Sequence, residues 1–349
     1  MTSFSPRRTS GGELGWGFAR GMLLSEPSPQ LILPKMSSIV EISHLTHAYG
    51  PRTALDDFSL TVQAGEIFGF LGPNGSGKTT LFRILSTLIP VSAGHVKVLG
   101  MDVAQGRNSV RKQIGVVFQS PSLDKQLTAQ ENLTHQGHLY GLHGSDLHQR
   151  VKNALSALGL SERAGERVER FSGGMRRRVE VAKGLLHHPR LLLMDEPSTG
   201  LDPAARIEMW RHLREINQQG VTILLTTHLM EEAERCSRLA VMASGKLLAE
   251  DTPAALKERI GGDVITITTS SASQVSSQLR QRLGVEPQEI HGTLRIERQR
   301  GHEFVPQLIE AAPGLIDSVS VGKPTLEDVF IALTGRRLAE LDEQPVASK

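Results

Sequence analysis

Hydrophobic and polar positions show no helical or alternating period over residues 1–35, and a regular pattern begins only at Ile39. From there, short β-rich runs predict strands over 39–45, 58–62 and 66–71, with a turn at Tyr49-Gly50-Pro51. The run Ile67-Phe68-Gly69-Phe70-Leu71 is followed by a glycine-rich turn and then by Leu81-Phe82-Arg83-Ile84-Leu85, so the local order is strand, turn, helix. Two more β-rich runs follow at 95–99 and 114–118. Residues 120–185 then turn mainly helical, with helices predicted over 131–140, 146–158 and 174–186. Continuous apolar strands return at 191–194 and 221–225. They flank a helix over 203–219 that has Pro203 at its first position. Strands apolar on both faces belong to a parallel sheet covered on both sides, so 120–185 reads as a helical insertion in an α/β fold.

Past about residue 262 the texture changes. Strands are predicted at 264–268, near 289–290, at 293–297 and at 316–321, and helices at 274–283 and 303–311, with Pro306 placed in the second helix's first turn. The order βαββαβ predicts a small ferredoxin-like α+β domain. A closing amphipathic helix has Thr325 as N-cap, Asp328 at the third helical position, apolar Leu326, Val329, Phe330 and Leu333, and Gly335 as its stop. Residues 1–35, rich in Ser, Gly, Pro and Arg, are expected to have little order, as is the polar tail of 337–349. Met36 is a candidate start, because the pattern begins three residues later.

Composition narrows the function classes. At 349 residues the chain exceeds one ordinary core. Its 39% apolar and 22% charged residues fit a soluble globular protein, and no run approaches the ~18 apolar residues that span a bilayer. A membrane role would therefore come through a partner. The net charge of +2 argues against a chain whose main task is gripping nucleic acid. The single cysteine, Cys236, rules out a disulfide framework and a cysteine metal cluster, and fits a reducing cytosol.

The chemistry centres on Gly72-Pro73-Asn74-Gly75-Ser76-Gly77-Lys78-Thr79-Thr80. Glycines let the backbone N–H groups surround phosphate oxygens, and the following helix aims its positive end at them. Lys78 adds a point charge for the β/γ-phosphates, and Thr79 adds the hydroxyl that a phosphate-bound Mg²⁺ needs, the spacing of a Walker A loop. The strand at 191–194 ends in Asp195-Glu196. Successive strand residues face opposite ways, so Asp195 is placed to hold Mg²⁺ and Glu196 to orient and deprotonate a water. Phe171-Ser172-Gly173-Gly174-Met175 opens a long helix. It reads either as a second anion site or as a plain N-cap by Ser172. Arg176-Arg177-Arg178 reads as a solvated charged face or as positive potential beside a phosphate.

The sequence of Tyr49, GPNGSGKTT, Gln119, FSGGM, LLLMDEP, Gly200-Leu201-Asp202 and Thr227-His228 resembles the ATPase subunits of ABC transporters over about 39–251. The resemblance implies a P-loop NTPase of α/β class, and ATP and Mg²⁺ as ligands. It also implies that Tyr49 stacks on adenine, Gln119 meets Mg²⁺ and the attacking water, Asp202 communicates across a dimer and His228 contacts the γ-phosphate. In this family Ser172, Gly173 and Gly174 of one copy close the phosphate loop of another, which implies a homodimer sandwiching two nucleotides. Phe171 and Met175 depart from the family's usual Leu and Gln. The segment Pro324 to Gly335 resembles the end of daunorubicin-resistance ATPase subunits, which implies export of drug, lipid or polysaccharide through separate membrane subunits. The expected domains are 36–255 (ATPase, helical subdomain about 120–185) and 262–336 (accessory α+β), peripheral on the cytoplasmic membrane face. The competing class is a soluble ABC ATPase acting on nucleic acid or ribosomes. The usual signs of that class, paired ATPase domains, long coiled coils and zinc cysteines, are absent from the sequence.

Overall fold

The computed structural model describes residues 38–290 and 292–338, and the expectations for residues 1–35 and for the end of the tail lie outside them. The chain opens with two antiparallel strands, β1 (Ser38–Tyr49) and β2 (Arg52–Gln63), joined at the predicted Gly50 turn, where φ is +57°. Next come β3 (Ile67–Leu71), α1 (Lys78–Leu85), β4 (Ala93–Val98), β5 (Met101–Asp102), α2 (Arg107–Arg111) and β6 (Ile114–Val117). The helical part is α3 (Ala129–Leu139), α4 (Gly144–Ala157) and α5 (Gly173–Leu185). Then follow β7 (Leu191–Asp195), α6 (Pro203–Gln218), β8 (Thr222–Thr227), α7 (Met230–Ala233), β9 (Arg238–Ala243), β10 (Lys246–Asp251) and α8 (Pro253–Glu258). The last stretch holds β11 (Asp263–Thr268), α9 (Ala272–Leu283), β12 (Gln288–Ile290), β13 (Thr293–Arg298), α10 (Gly301–Ala311), β14 (Ser318–Gly322) and α11 (Leu326–Thr334).

Three sheets organise these elements. A four-stranded antiparallel sheet has the order β2-β1-β4-β5, and a six-stranded sheet has the order β10-β9-β3-β8-β7-β6, in which β9, β3, β8, β7 and β6 pair in parallel. Every residue of β3, β7 and β8 is buried, as two covered faces require. One apolar cluster, with Phe58, Phe70, Leu81 and Leu193, lies between the antiparallel sheet, α1 and one face of the large sheet. A second, with Leu133, Val151, Val179, Trp210 and Leu225, joins the other face to α6 and the helical part. Each fully buried side chain of this kind contributes roughly 1.5–3 kcal/mol relative to exposure.

The C-terminal stretch forms an antiparallel sheet in the order β12-β13-β11-β14, the strand order of the expected βαββαβ unit. Its core takes Ile265 and Ile267 from β11, Leu294 and Ile296 from β13, and Val275, Phe304 and Leu308 from α9 and α10. Strands β9 and β10 were not predicted from pattern alone, although Leu239, Ala240, Val241 and Met242 form a wholly buried run. Two further details differ. Helix α10 starts at Gly301, so Pro306 lies inside it rather than in its first turn, and it is tolerated because Pro306 and His302, whose carbonyl it leaves unbonded, face solvent. In α11, Leu333 is 40% exposed and Ile331 is buried in its place. The rest of that helix end is as expected, with reciprocal Thr325/Asp328 hydrogen bonds and Gly335 at φ +72°.

Candidate functional site

The sheet order brings the sequence-distant motifs together. Strand β8 lies between β3 and β7, so the loop after β3 and the ends of β7 and β8 meet at the carboxyl ends of these parallel strands, where α/β proteins hold their ligands. A cleft there is lined by Tyr49, Arg52, Asn74, Gly75, Lys78, Thr79, Thr80 and Glu196.

The loop from Gly72 to Gly77 is closely fitted. Gly77 precedes α1 with φ +103° and offers no side-chain cap, so the helix's first N–H groups face the loop. A Cβ at Gly77 would lie 2.5 Å from the Ala54 carbonyl oxygen, and one at Gly72 would lie 2.3 Å from that of Met242. The buried Lys78 Nζ donates to the carbonyls of Gly72 (2.6 Å) and Pro73 (3.0 Å). The Ser76 hydroxyl is buried with no hydrogen-bond partner among the described residues. A cradle that excludes side chains, an uncapped helix start, a cation held over the loop and an orphaned hydroxyl together fit a polyphosphate.

Opposite stands Glu196, buried and in the left-handed region at φ +44°, a conformation costly for a residue with a Cβ. Its N–H donates to Thr226 Oγ1 (3.0 Å), and its Oε2 accepts from Gln119 Nε2 (3.1 Å) and Thr199 Oγ1 (3.1 Å). His228 Nδ1 lies 3.3 Å from Oε1. Burial works to raise this carboxyl, but the hydrogen bond and charge of His228, the Lys78 charge and the Thr199 hydroxyl outweigh it and hold Glu196 below the usual range. Asp195 differs. Burial, with the Glu196 charge added, pushes it up against the opposing Thr226 hydrogen bond (Oγ1 to Oδ1, 2.6 Å). Adjacent carboxylates thus have separate environments, and the oxygen donors of Thr79, Gln119 and Asp195 are of the hard type that suits Mg²⁺.

Tyr49 stands at the cleft, 45% exposed, with its ring edge-on to His47. Ser172, Gly173, Gly174 and Asp202 are not among the residues lining it. Ser172 caps α5 by accepting the Met175 N–H (3.2 Å), and a Cβ on Gly174 would lie 2.8 Å from that of Ala205. Asp202 caps α6 by accepting the Ala205 N–H (2.9 Å). These four therefore form a second surface, where α5 meets the start of α6.

The basic triplet follows neither sequence reading. Arg177 is 9% exposed, and its guanidinium donates to four carbonyls: Phe118 (2.5 Å), Asp195 (3.0 Å), Glu196 (3.3 Å) and Pro197 (2.8 Å). Arg176 donates to the carbonyls of Val168 and Glu169, and Arg178 to that of Leu158 and to Glu208. All three are structural ties. Arg177 links α5 to the chain before Gln119 and to the Asp195–Pro197 turn at once. Helical spacing was the available signal, because position 177 lies three residues before Glu180 and four before Val181, both buried on the same face. Glu232, a buried carboxylate accepting from Thr227 Oγ1 (2.5 Å) and Trp210 Nε1 (3.4 Å), was also not picked out from the sequence.

Residues 55–199 match the family model described as ABC transporter. The chain is 39% identical over 311 residues to the Nod factor export ATP-binding protein I of Sinorhizobium fredii, covering 88% of this chain and 89% of that one. It is 36% identical over 308 residues to the daunorubicin resistance ATP-binding protein DrrA2 of Streptomyces coeruleorubidus, covering 86% and 96%. Among solved structures it resembles an ATP-binding cassette in a dimeric post-hydrolysis state bound to ADP and Pi, at 26% identity and TM-score 0.56, covering 61% of this chain and 98% of that one.

Proposed function

The chain belongs to the ATP-binding subunits of ABC transporters, and from that premise we propose that it hydrolyses ATP at the interface of a homodimer to drive export through separate membrane subunits. The observation that carries the reading is the convergence of Gln119, Thr199 and His228 on the Glu196 carboxylate at the wall of the phosphate-loop cleft.

In this reading the loop N–H groups and Lys78 bind the β/γ-phosphates, and Tyr49 stacks on the adenine. Thr79, Gln119 and Asp195 would hold Mg²⁺, which, when bound, supplies charge neutralisation across the phosphates. Glu196, kept ionised by its neighbours, orients a water through its carboxylate and takes its proton as the water oxygen bonds to the γ-phosphorus and the bond to the β-phosphate oxygen breaks. His228, 3.3 Å from Glu196 Oε1, steadies that carboxylate and reaches toward the same phosphate. Ser172, Gly173 and Gly174, capped and packed away from this cleft, are free to complete the cleft of a second copy, with Asp202 beside them. Residues 36–255 then act as the ATPase domain and 262–336 as an accessory domain. Among the described residues no helix is long and apolar enough to cross a membrane, so attachment to the cytoplasmic face runs through the permease. Relatives named for drug resistance and Nod factor export favour export over an action on nucleic acid or ribosomes.

The test is Glu196→Gln, which keeps shape and removes the base. ATP turnover is expected to fall by about 10²–10⁴, and the variant to become dimeric with ATP by light scattering. A variant that stays monomeric with ATP overturns the homodimer. Co-purification of the parent with an integral-membrane chain, rather than with ribosomes, checks the transport assignment.

A further inference from the structure

Away from the nucleotide cleft, a cavity of about 370 Å³ lies between α4, the end of α5 and the α6–β8 junction. That is within the range of small-molecule sites, roughly 300–1,000 Å³. Its α4 wall is Arg150, Asn153, Ala154 and Ala157, spaced i, i+3, i+4 and i+7, so one helix stripe runs from a charged end to a small apolar end over about 10 Å. Facing it are apolar Leu186, Ile216 and Val221. The charges lining the cavity have one sign, with Arg150 and Arg190 present beside His188 and no carboxylate in the wall. Arg150 Nη1 lies 3.3 Å from His188 Nδ1, while its Nε is held by Asp146 (3.0 Å) outside. The Arg190 side chain has no ion pair or hydrogen bond among the described residues.

A wall that changes from cationic to apolar along one helix stripe selects a ligand built the same way. We propose that this cavity binds the carboxylate of a free medium-chain acyl anion, with the head on Arg190 and the Arg150–His188 pair and the chain along Ala154 and Ala157. A single negative charge is matched because Arg150 already shares one carboxylate, which leaves Arg190 as the uncommitted cation. The length of the stripe sets the chain length, since about 10 Å accommodates roughly eight methylenes and not a full membrane lipid tail. Because the walls come from both the helical insertion and the α6–β8 junction of the sheet, an occupied cavity ties those two parts together.

Decanoate below its micelle concentration, titrated calorimetrically into the full chain, is expected to bind one per chain. Decanol and acetate, each lacking half of the complement, should bind at least about tenfold more weakly, as should decanoate to Arg190→Gln. Ala157→Leu, at an exposed helix position that folds readily, should weaken decanoate similarly by filling the apolar end, while both variants keep the parent's ATP turnover. Equal binding of decanol and decanoate, or decanoate binding indifferent to both variants, overturns the assignment. So does Arg190-dependent binding to vesicles containing phosphatidylglycerol without binding of free decanoate, which would make the site a membrane contact.

Discussion

Replacing Arg177 by Met removes one guanidinium and leaves the carbonyls of Phe118, Asp195, Glu196 and Pro197 short of a donor inside the protein. It also leaves Glu180, 4% exposed and 4.0 Å from that guanidinium, without its nearest cation. Breaking a buried pair in this way costs about 3–5 kcal/mol, against a total stability of about 5–15 kcal/mol. At roughly 2–4 °C per kcal/mol for a domain of this size, the melting temperature should drop by about 6–20 °C. A second effect is specific to the site, since Arg177 positions the backbone of Glu196 and the residue before Gln119 without lining the cleft. A displacement near 1 Å is enough to cost on the order of 10²-fold in turnover. The expectation is kcat down about 10–100-fold with KM for ATP nearly unchanged, because Arg177 is not among the residues lining the cleft. Differential scanning fluorimetry and a coupled ATPase assay read the two effects separately. Arg177→Lys keeps the charge but not the fork, and should fall between parent and Met. If Arg177→Met melts within about 2 °C of the parent and turns over ATP at the parent rate, the four-carbonyl bracket does not hold the site, and the reasoning fails.

Gly115→Ala places a methyl 2.3 Å from the Gly184 carbonyl oxygen where α5 crosses β6, and should destabilise by about 1–3 kcal/mol in urea unfolding. Thr325→Ala removes the α11 cap and should cost about 1 kcal/mol by the same measurement, with ATP turnover unchanged. His187 is stacked on Tyr140 with ring centroids 3.9 Å apart, and burial holds its pKa below the ordinary 6.5. Unfolding therefore takes up a proton, so this contribution is complete above pH 6.5 and is lost as pH falls from there through the depressed value. Stability curves from pH 7.5 to 5 should slope less in His187→Phe than in the parent.

Local features were the most legible part of the sequence. The loop at 72–80 carries its conformation in its own glycines, and the caps at Ser172 and Thr325 depend only on residues three positions away. The apolar runs within β3, β7 and β8 pointed to the parallel sheet, and the adjacency of these strands then assembled the cleft. Long-range partners were what the sequence concealed. An arginine in a row of three looks solvated until tertiary contacts supply Phe118 and Pro197 as acceptors, and Glu232 resembles any surface glutamate until Trp210 and Thr227 close over it. The backbone of Glu196 is held left-handed by surroundings 30 residues away, at Thr226.

Thr226, near the end of β8, has a consequence for how the sheet is assembled. Strand β8 reads Thr-Ile-Leu-Leu-Thr-Thr and is buried throughout, so a slide of two positions past β7 would keep every side chain on its proper face and bury nearly the same apolar surface. Hydrophobic packing alone scarcely tells the two alignments apart. The Thr226 hydroxyl does, because after such a slide Leu224 would stand where Thr226 now meets Asp195 and the Glu196 N–H. The buried Asp195 carboxylate and the Glu196 amide would lose their shared partner together, at about 1–3 kcal/mol for the neutral group and more for the charged one. The phosphate-loop end of the sheet thus serves as the alignment check for its middle, and a chain that folds in the wrong frame is also one that cannot form its cleft.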